Sequence, residues 1–237
     1  MKLLLVSLAI TGCASAGPGN SIIGGLDDAA PGDGRDLPAV DAREVDASPR
    51  SVTLDQNASS AIKGNNSFAC VATVQDHTPA NSYYRVFPLA DFNVTSTLHV
   101  TEVVFGVEFA HAETGGMQPA TLRLGNYRGT AGTTIDPAMI APLGMMQIMI
   151  NDTATGDRVT VPFGIDVPAG TNLVVQLDLP ASATAFNEFY MGSNSAGERK
   201  PGYWGATTCD LDPPKAFASM TDLDHEVDIL MTVSGTM

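Results

Sequence analysis

Apolar side chains recur at every other position through much of the chain after about residue 66, and the runs are bounded by Gly, Pro, Asn and Asp. That period puts alternate side chains on opposite faces of a strand. In TEVVFGVEF (101–109), Val103, Phe105, Val107 and Phe109 share one face, and Val104, Gly106 and Glu108 the other. In NLVVQLDL (172–179), Leu173, Val175, Leu177 and Leu179 alternate with Val174, Gln176 and Asp178. In EVDILMTV (226–233), Val227, Ile229, Met231 and Val233 alternate with Asp228, Leu230 and Thr232. Weaker alternation covers 68–75, 82–89, 120–127, 145–150, 158–163, 187–192 and 202–207. The pattern predicts about ten strands in roughly 170 residues.

No stretch carries a sustained helical stripe. The nearest, PAMIAPLGMMQIMI, is interrupted by Pro137, Pro142 and Gly144, which leaves room for one short helical turn at 136–141. The expected fold is all-β, a two-sheet antiparallel sandwich of jelly-roll type over residues 66–237. Gly106 inside a strand predicts a bulge or a close backbone approach. Tyr83, Arg85 and Phe87 share one face and Tyr84 and Val86 the other, and Arg85 and Glu108 are expected to pair across neighbouring strands.

The first 60 residues read differently. Residues 13–60 are rich in Gly, Pro, Ala and Asp, lack aromatics and show no periodicity, as expected of a disordered acidic tether. Before them, Met1-Lys2 and the apolar run Leu3–Ile10 have the shape of a secretory signal peptide, too short for a helix that spans a bilayer. Ile10-Thr11-Gly12-Cys13 resembles the lipobox of bacterial lipoproteins. The resemblance implies cleavage after residue 12, acylation of Cys13 (palmitate among the chains) and anchorage to the bilayer. Ala14 after the cysteine then implies the outer membrane of a Gram-negative cell. The alternative is an ordinary secretory peptide cut near Ala14-Ser15-Ala16, with Cys13 discarded.

Twelve basic against 26 acidic side chains give a formal charge of −14. Such a surface is unsuited to nucleic acid, which is bound through clustered Lys and Arg. In an exported chain the remaining cysteines, Cys70 and Cys209, are expected to form a disulfide. Free buried thiols are the other reading. No cysteine or histidine spacing suits zinc.

Three stretches are less generic: NSYYRVFPLADF running into VTEVVFGVEFA, GGMQPATLRLGNY, and NEFYMGSNSAGERKPGYWGATTC. Together they resemble a domain attached to many exported bacterial proteins. The resemblance covers residues 66–237. It implies a jelly-roll accessory module, borne by secreted enzymes or alone on lipoproteins, and brings no established chemistry with it.

Catalytic motifs are wanting. GSNSAG (192–197) puts Asn194 where a nucleophile elbow needs serine, and no helix follows it. His77, His99, His111 and His225 have no sequence partner for nucleophilic catalysis. The acidic run containing Asp222, Asp224 and Glu226 has oxygen ligands for calcium, although a loop before the last strand explains it equally well and no cofactor is expected. For ligand binding, Tyr127, Tyr190, Tyr203 and Trp204 are candidate aromatic contacts, with Asn194 and Arg199 as polar partners. Tyr203 and Trp204, being consecutive, should face opposite ways, and Trp204 has a competing place in the core near the two cysteines. The expected function is a non-catalytic binding or interaction module on an envelope lipoprotein, with carbohydrate or another envelope protein as partner. The alternatives are a hydrolase of envelope polysaccharide and a structural subunit of a surface assembly.

Overall fold

The computed structural model describes residues 48–71, 78–182 and 185–237. The expected signal peptide, Cys13 and most of the expected tether lie outside the described residues. Thirteen strands follow in chain order: β1 (Ser51–Leu54), β2 (Asn81–Pro88), β3 (Leu98–Ala112), β4 (Met117–Tyr127), β5 (Ile140–Asn151), β6 (Asp157–Val167), β7 (Asn172–Leu179), β8 (Asn187–Met191), β9 (Ser193–Asn194), β10 (Gly202–Ala206), β11 (Leu211–Ala216), β12 (Asp228–Ile229) and β13 (Met231–Thr236). All pairings between them are antiparallel. One sheet runs β1-β13-β3-β6, with β8 also on β3; the other runs β11-β10-β2-β7-β4-β5; β9 and β12 form a small ribbon. The chain passes from one sheet to the other between β1 and β2, β2 and β3, β3 and β4, β5 and β6, β6 and β7, and β7 and β8. Strands of opposite sheets therefore come from neighbouring stretches of sequence.

The core lies between the sheets. Leu173, Val175, Leu177 and Leu179 of β7 face Val103, Phe105 and Val107 of β3 and Met231 and Val233 of β13 within one apolar cluster. A second, smaller cluster covers the outer face of the six-stranded sheet: Tyr84, Val86, Tyr127, Ile135, Val174, Tyr203 and Ala216. It exists because residues 128–139 fold back over that face, held by backbone bonds from Arg128 to Met139 and from Ile135 to Pro214. The helical turn expected at 136–141 is a 3-10 turn, Pro137–Met139, whose Ala138 N–H donates to Asp136 Oδ1 at 2.9 Å. Prolines 142, 162, 213 and 214 all fall on edge strands, where a missing N–H breaks no ladder.

Several expectations are corrected. The body starts earlier than residue 66: β1 pairs with β13, and residues 55–67 run on as a strap fastened by side chains, with Gln56 and Asn66 buried. The Gly and Ala content of that region hid two alternating apolar residues, Val52 and Leu54, which close the sheet. Phe68–Val71, placed in a strand on sequence, is not one. Its Cys70 is instead tied by both N–H and C=O to the Asn81 side chain. The 226–233 run is split at Leu230 into β12 and β13. The alternation of β3 fails after Val107: a bulge puts Glu108 between the pairs Val107–Met191 and Phe109–Tyr190. Ala110 and Ala112 then turn inward and Phe109 turns out.

Arg85 does not pair with Glu108, because β2 and β3 belong to different sheets. Its guanidinium is fully buried and bonds Glu198 at 2.6 Å, with the carbonyls of Ile229 and Lys200 as further acceptors. The expected close approach at Gly106 is present. Its N–H reaches the Leu230 carbonyl, and its carbonyl accepts from Gly192, at the point where β8 takes over from β13 alongside β3. Cys70 and Cys209 form a disulfide.

Candidate functional site

The bulge in β3 has a chemical consequence. It brings two consecutive residues, Glu108 and Phe109, to the wall of one cleft of about 700 Å³. Across the ladder, β8 contributes Glu188 and Tyr190, two residues apart and so on one face. The strap contributes Ile62, Asn65, Ser67 and Phe68, the β5–β6 turn Ala154–Gly156, and the loop before β12 Asp224 and His225. The turn is placed by paired backbone bonds between Ala110 and Thr153. The strap is placed by Glu108, whose carboxylate accepts from Asn65 N–H at 2.5 Å, Asn66 N–H at 3.2 Å and the Ser67 hydroxyl at 2.5 Å. The Ser67 hydroxyl also contacts the Met191 carbonyl.

Three aromatic rings stand in this cleft. Phe109 and Tyr190 meet edge to face, centroids 6.1 Å apart and planes at 64°. Phe68 stacks on the His225 ring at 5.0 Å. Phe68, Phe109 and Tyr190 are all half-buried, so each keeps part of its surface open. The lining holds three carboxylates, Glu108, Glu188 and Asp224, and no lysine or arginine. Burial, and then the negative charge of Glu188 and Glu108, pushes the Tyr190 hydroxyl above the ordinary tyrosine range.

The sequence candidates are scattered. Tyr190 is in the cleft. Tyr127 and Tyr203 are buried in the outer cluster, their hydroxyls bonded to Asp136 N–H and the Gly132 carbonyl. Trp204 is in the core, stacked on Phe217 at 5.9 Å, with its indole N–H on Asn81, the residue that holds Cys70. Tyr203 and Trp204 thus face opposite sides as their adjacency requires, and neither offers an open ring. Asn194 is buried and structural: its amide donates to the carbonyls of Ser59 and Ala61 in the strap. Arg199 is exposed and lines a different hollow of about 420 Å³ beside Glu198 and Asp228. Asp222 and Glu226 are exposed, and Asp224 bonds His225. Among the described residues no three His, Cys, Asp or Glu side chains are grouped to hold a metal ion.

Sequence reasoning missed Phe68, Phe109, Glu188 and His225 as a group. One signal was present: in GVEFAHA the small residues Ala110 and Ala112 carry the inward parity that Val103–Val107 would deny them, and a parity switch marks a bulge. Comparison with known proteins adds no relative: no family model and no curated protein matches the chain.

Proposed function

We propose that this chain is an exported, lipid-anchored protein whose β-sandwich is a non-catalytic carbohydrate-binding module, with the cleft beside β3 and β8 as its site. The observation that carries this reading is a concave surface of about 700 Å³ with half-open Phe109, Tyr190 and Phe68 rings and polar groups between them. Aromatic faces pack on the C–H faces of sugar rings, while polar groups between them fix orientation. The non-catalytic reading is supported by the employment of Glu108, which is taken up by three donors of the strap. The lipid anchor rests on the likeness of Ile10–Cys13 to a lipobox.

The layout of the body suits this reading. Backbone bonds join Arg50 to Met237, so the described chain enters beside its own C-terminus. There His99 of β3 pairs with Thr236. Phe109 in the cleft is ten residues further along β3, roughly 30 Å away at about 3.3 Å per residue. The cleft therefore lies at the end of β3 remote from the point where the described chain enters.

The test is a glycan array probed with the full chain in detergent. Retention of a subset of glycans, lost in a Phe109→Ala/Tyr190→Ala variant, is expected. Retention of none contradicts the module, and release of reducing ends from a retained glycan would make it a hydrolase. Separately, Cys13→Ser should move the protein from the membrane pellet to the soluble fraction; unchanged fractionation contradicts the anchor.

A further inference from the structure

Two polar groups line the cleft without a partner among the described residues, and together they are complementary to a particular ligand chemistry. The Glu188 carboxylate makes no hydrogen bond or ion pair there, and neither does the Tyr190 hydroxyl. His225 Nε2 is also unpartnered, but it is buried and offers a ligand no surface. Its other nitrogen, Nδ1, lies 2.5 Å from Asp224 Oδ1. The Glu188 carboxylate accepts only, and the tyrosine hydroxyl accepts or donates.

The charge has the same sense. Glu108, Glu188 and Asp224 line the cleft with no basic side chain among them, on a chain of formal charge −14. Such a surface raises the local concentration of cations. The rings of Phe109 and Tyr190, inclined at 64°, give two walls of an open corner, and aromatic faces attract ammonium groups electrostatically. A ligand that fits must be rich in donors, positively charged and partly apolar.

We propose that the cleft selects an amino sugar whose amine is not acetylated. Its ammonium group sits against Glu188 and the Phe109–Tyr190 corner. This rests on the carbohydrate-binding reading above and narrows it. N-acetylation would remove the charge and leave the Glu188 carboxylate without its ionic partner. A basic peptide shares the ammonium but lacks the sugar ring whose C–H faces the Phe109 and Tyr190 rings would pack on.

Isothermal titration of the full chain in detergent with a β-1,4-linked glucosamine tetramer, its fully N-acetylated counterpart and tetralysine tests the proposal. The glucosamine tetramer is expected to bind at least ten-fold tighter than either of the others. Glu188→Gln, which keeps shape and whose melting temperature is checked alongside, should lose most of that preference. Its affinity for the acetylated tetramer should not change. Equal affinity for the two sugars, or tetralysine binding as tightly as glucosamine, overturns the amine assignment and leaves a binding module standing. Failure of all three probes, with an array that retains no glycan, overturns the module itself.

Discussion

Arg85 Nη2 lies 2.6 Å from Glu198 Oε2 in the interior of the sandwich, where the guanidinium is wholly buried and the carboxylate nearly so. The pair joins β2 to the segment before β10, and the guanidinium also reaches the Ile229 carbonyl at the end of β12. Burial raises the Glu198 pKa above its ordinary value of 4.5 even though Arg85 pulls it down. Arg85→Leu leaves a buried carboxylate uncompensated and should cost about 3–5 kcal/mol at neutral pH.

The pH dependence follows from that sign. A carboxyl whose folded pKa is raised contributes stability that is fully present below the unfolded value and lost as pH rises through the folded one. Denaturant melts of Arg85→Leu should therefore show the deficit shrinking as pH falls toward 4.5, the ordinary glutamate value. Arg85→Leu/Glu198→Leu should be more stable than Arg85→Leu at neutral pH and flatter with pH. A single variant as stable as the parent at pH 7 would contradict the role of the pair.

Gly106 and Gly192 approach so closely that a Cβ on Gly192 would stand 2.6 Å from the Gly106 carbonyl carbon and 2.8 Å from Val107 N. These are backbone atoms at the junction of β8, β12 and β13, so nothing yields. Gly192→Ala should lose about 2 kcal/mol or more. Gly164→Ala in β6, where a Cβ meets nothing within 4 Å, should stay within about 0.5 kcal/mol of the parent. Chemical denaturation of the two variants side by side checks the contrast.

Asn81 serves four groups at once: its side chain bonds Cys70 N–H and C=O, the Pro79 carbonyl and the Trp204 indole. Asn81→Leu orphans a buried N–H, a buried carbonyl and the indole donor, at roughly 1–3 kcal/mol for each group left unpaired. The expected loss is about 3 kcal/mol or more, read by the fluorescence of the single tryptophan during unfolding.

The Cys70–Cys209 bridge joins residues 139 apart in sequence and fastens the segment before β2 to the turn after β10. Constraining so long a loop in the unfolded chain is worth about 3–5 kcal/mol. A Cys70→Ala/Cys209→Ala variant, or the reduced protein, should melt at a correspondingly lower denaturant concentration. Equal midpoints would contradict the chain-entropy account.

The sandwich was legible because long strands with one face on a core print period-two alternation: β7 and β13 place every residue where the pattern puts it. The site was not, because it is built where the pattern breaks. Phe109 reaches the cleft through a bulge, Phe68 and Ser67 through a strap with no period, and Glu188 and His225 through pairings remote in sequence. Conversely, Tyr127 and Tyr203 looked available because aromatic content says nothing about the loop at 128–139 that folds over the outer face, whereas Trp204 took the core place its sequence position also allowed. The cysteine pair was readable once Cys13 was set aside with the expected export signal, and the Arg85 partner was not, since sheet membership of β2 and β3 depends on crossovers that neighbouring strands do not reveal.

The cleft itself is tested most directly by amide chemical-shift mapping of the isotope-labelled chain titrated with the glucosamine tetramer. The account predicts shifts that saturate and cluster at Ser67, Phe68, Phe109, Gly156, Glu188, Tyr190 and His225. The amides around Tyr203 and Trp204 should stay still. Shifts centred instead on Arg199 and its hollow, or none at saturating sugar, would contradict it.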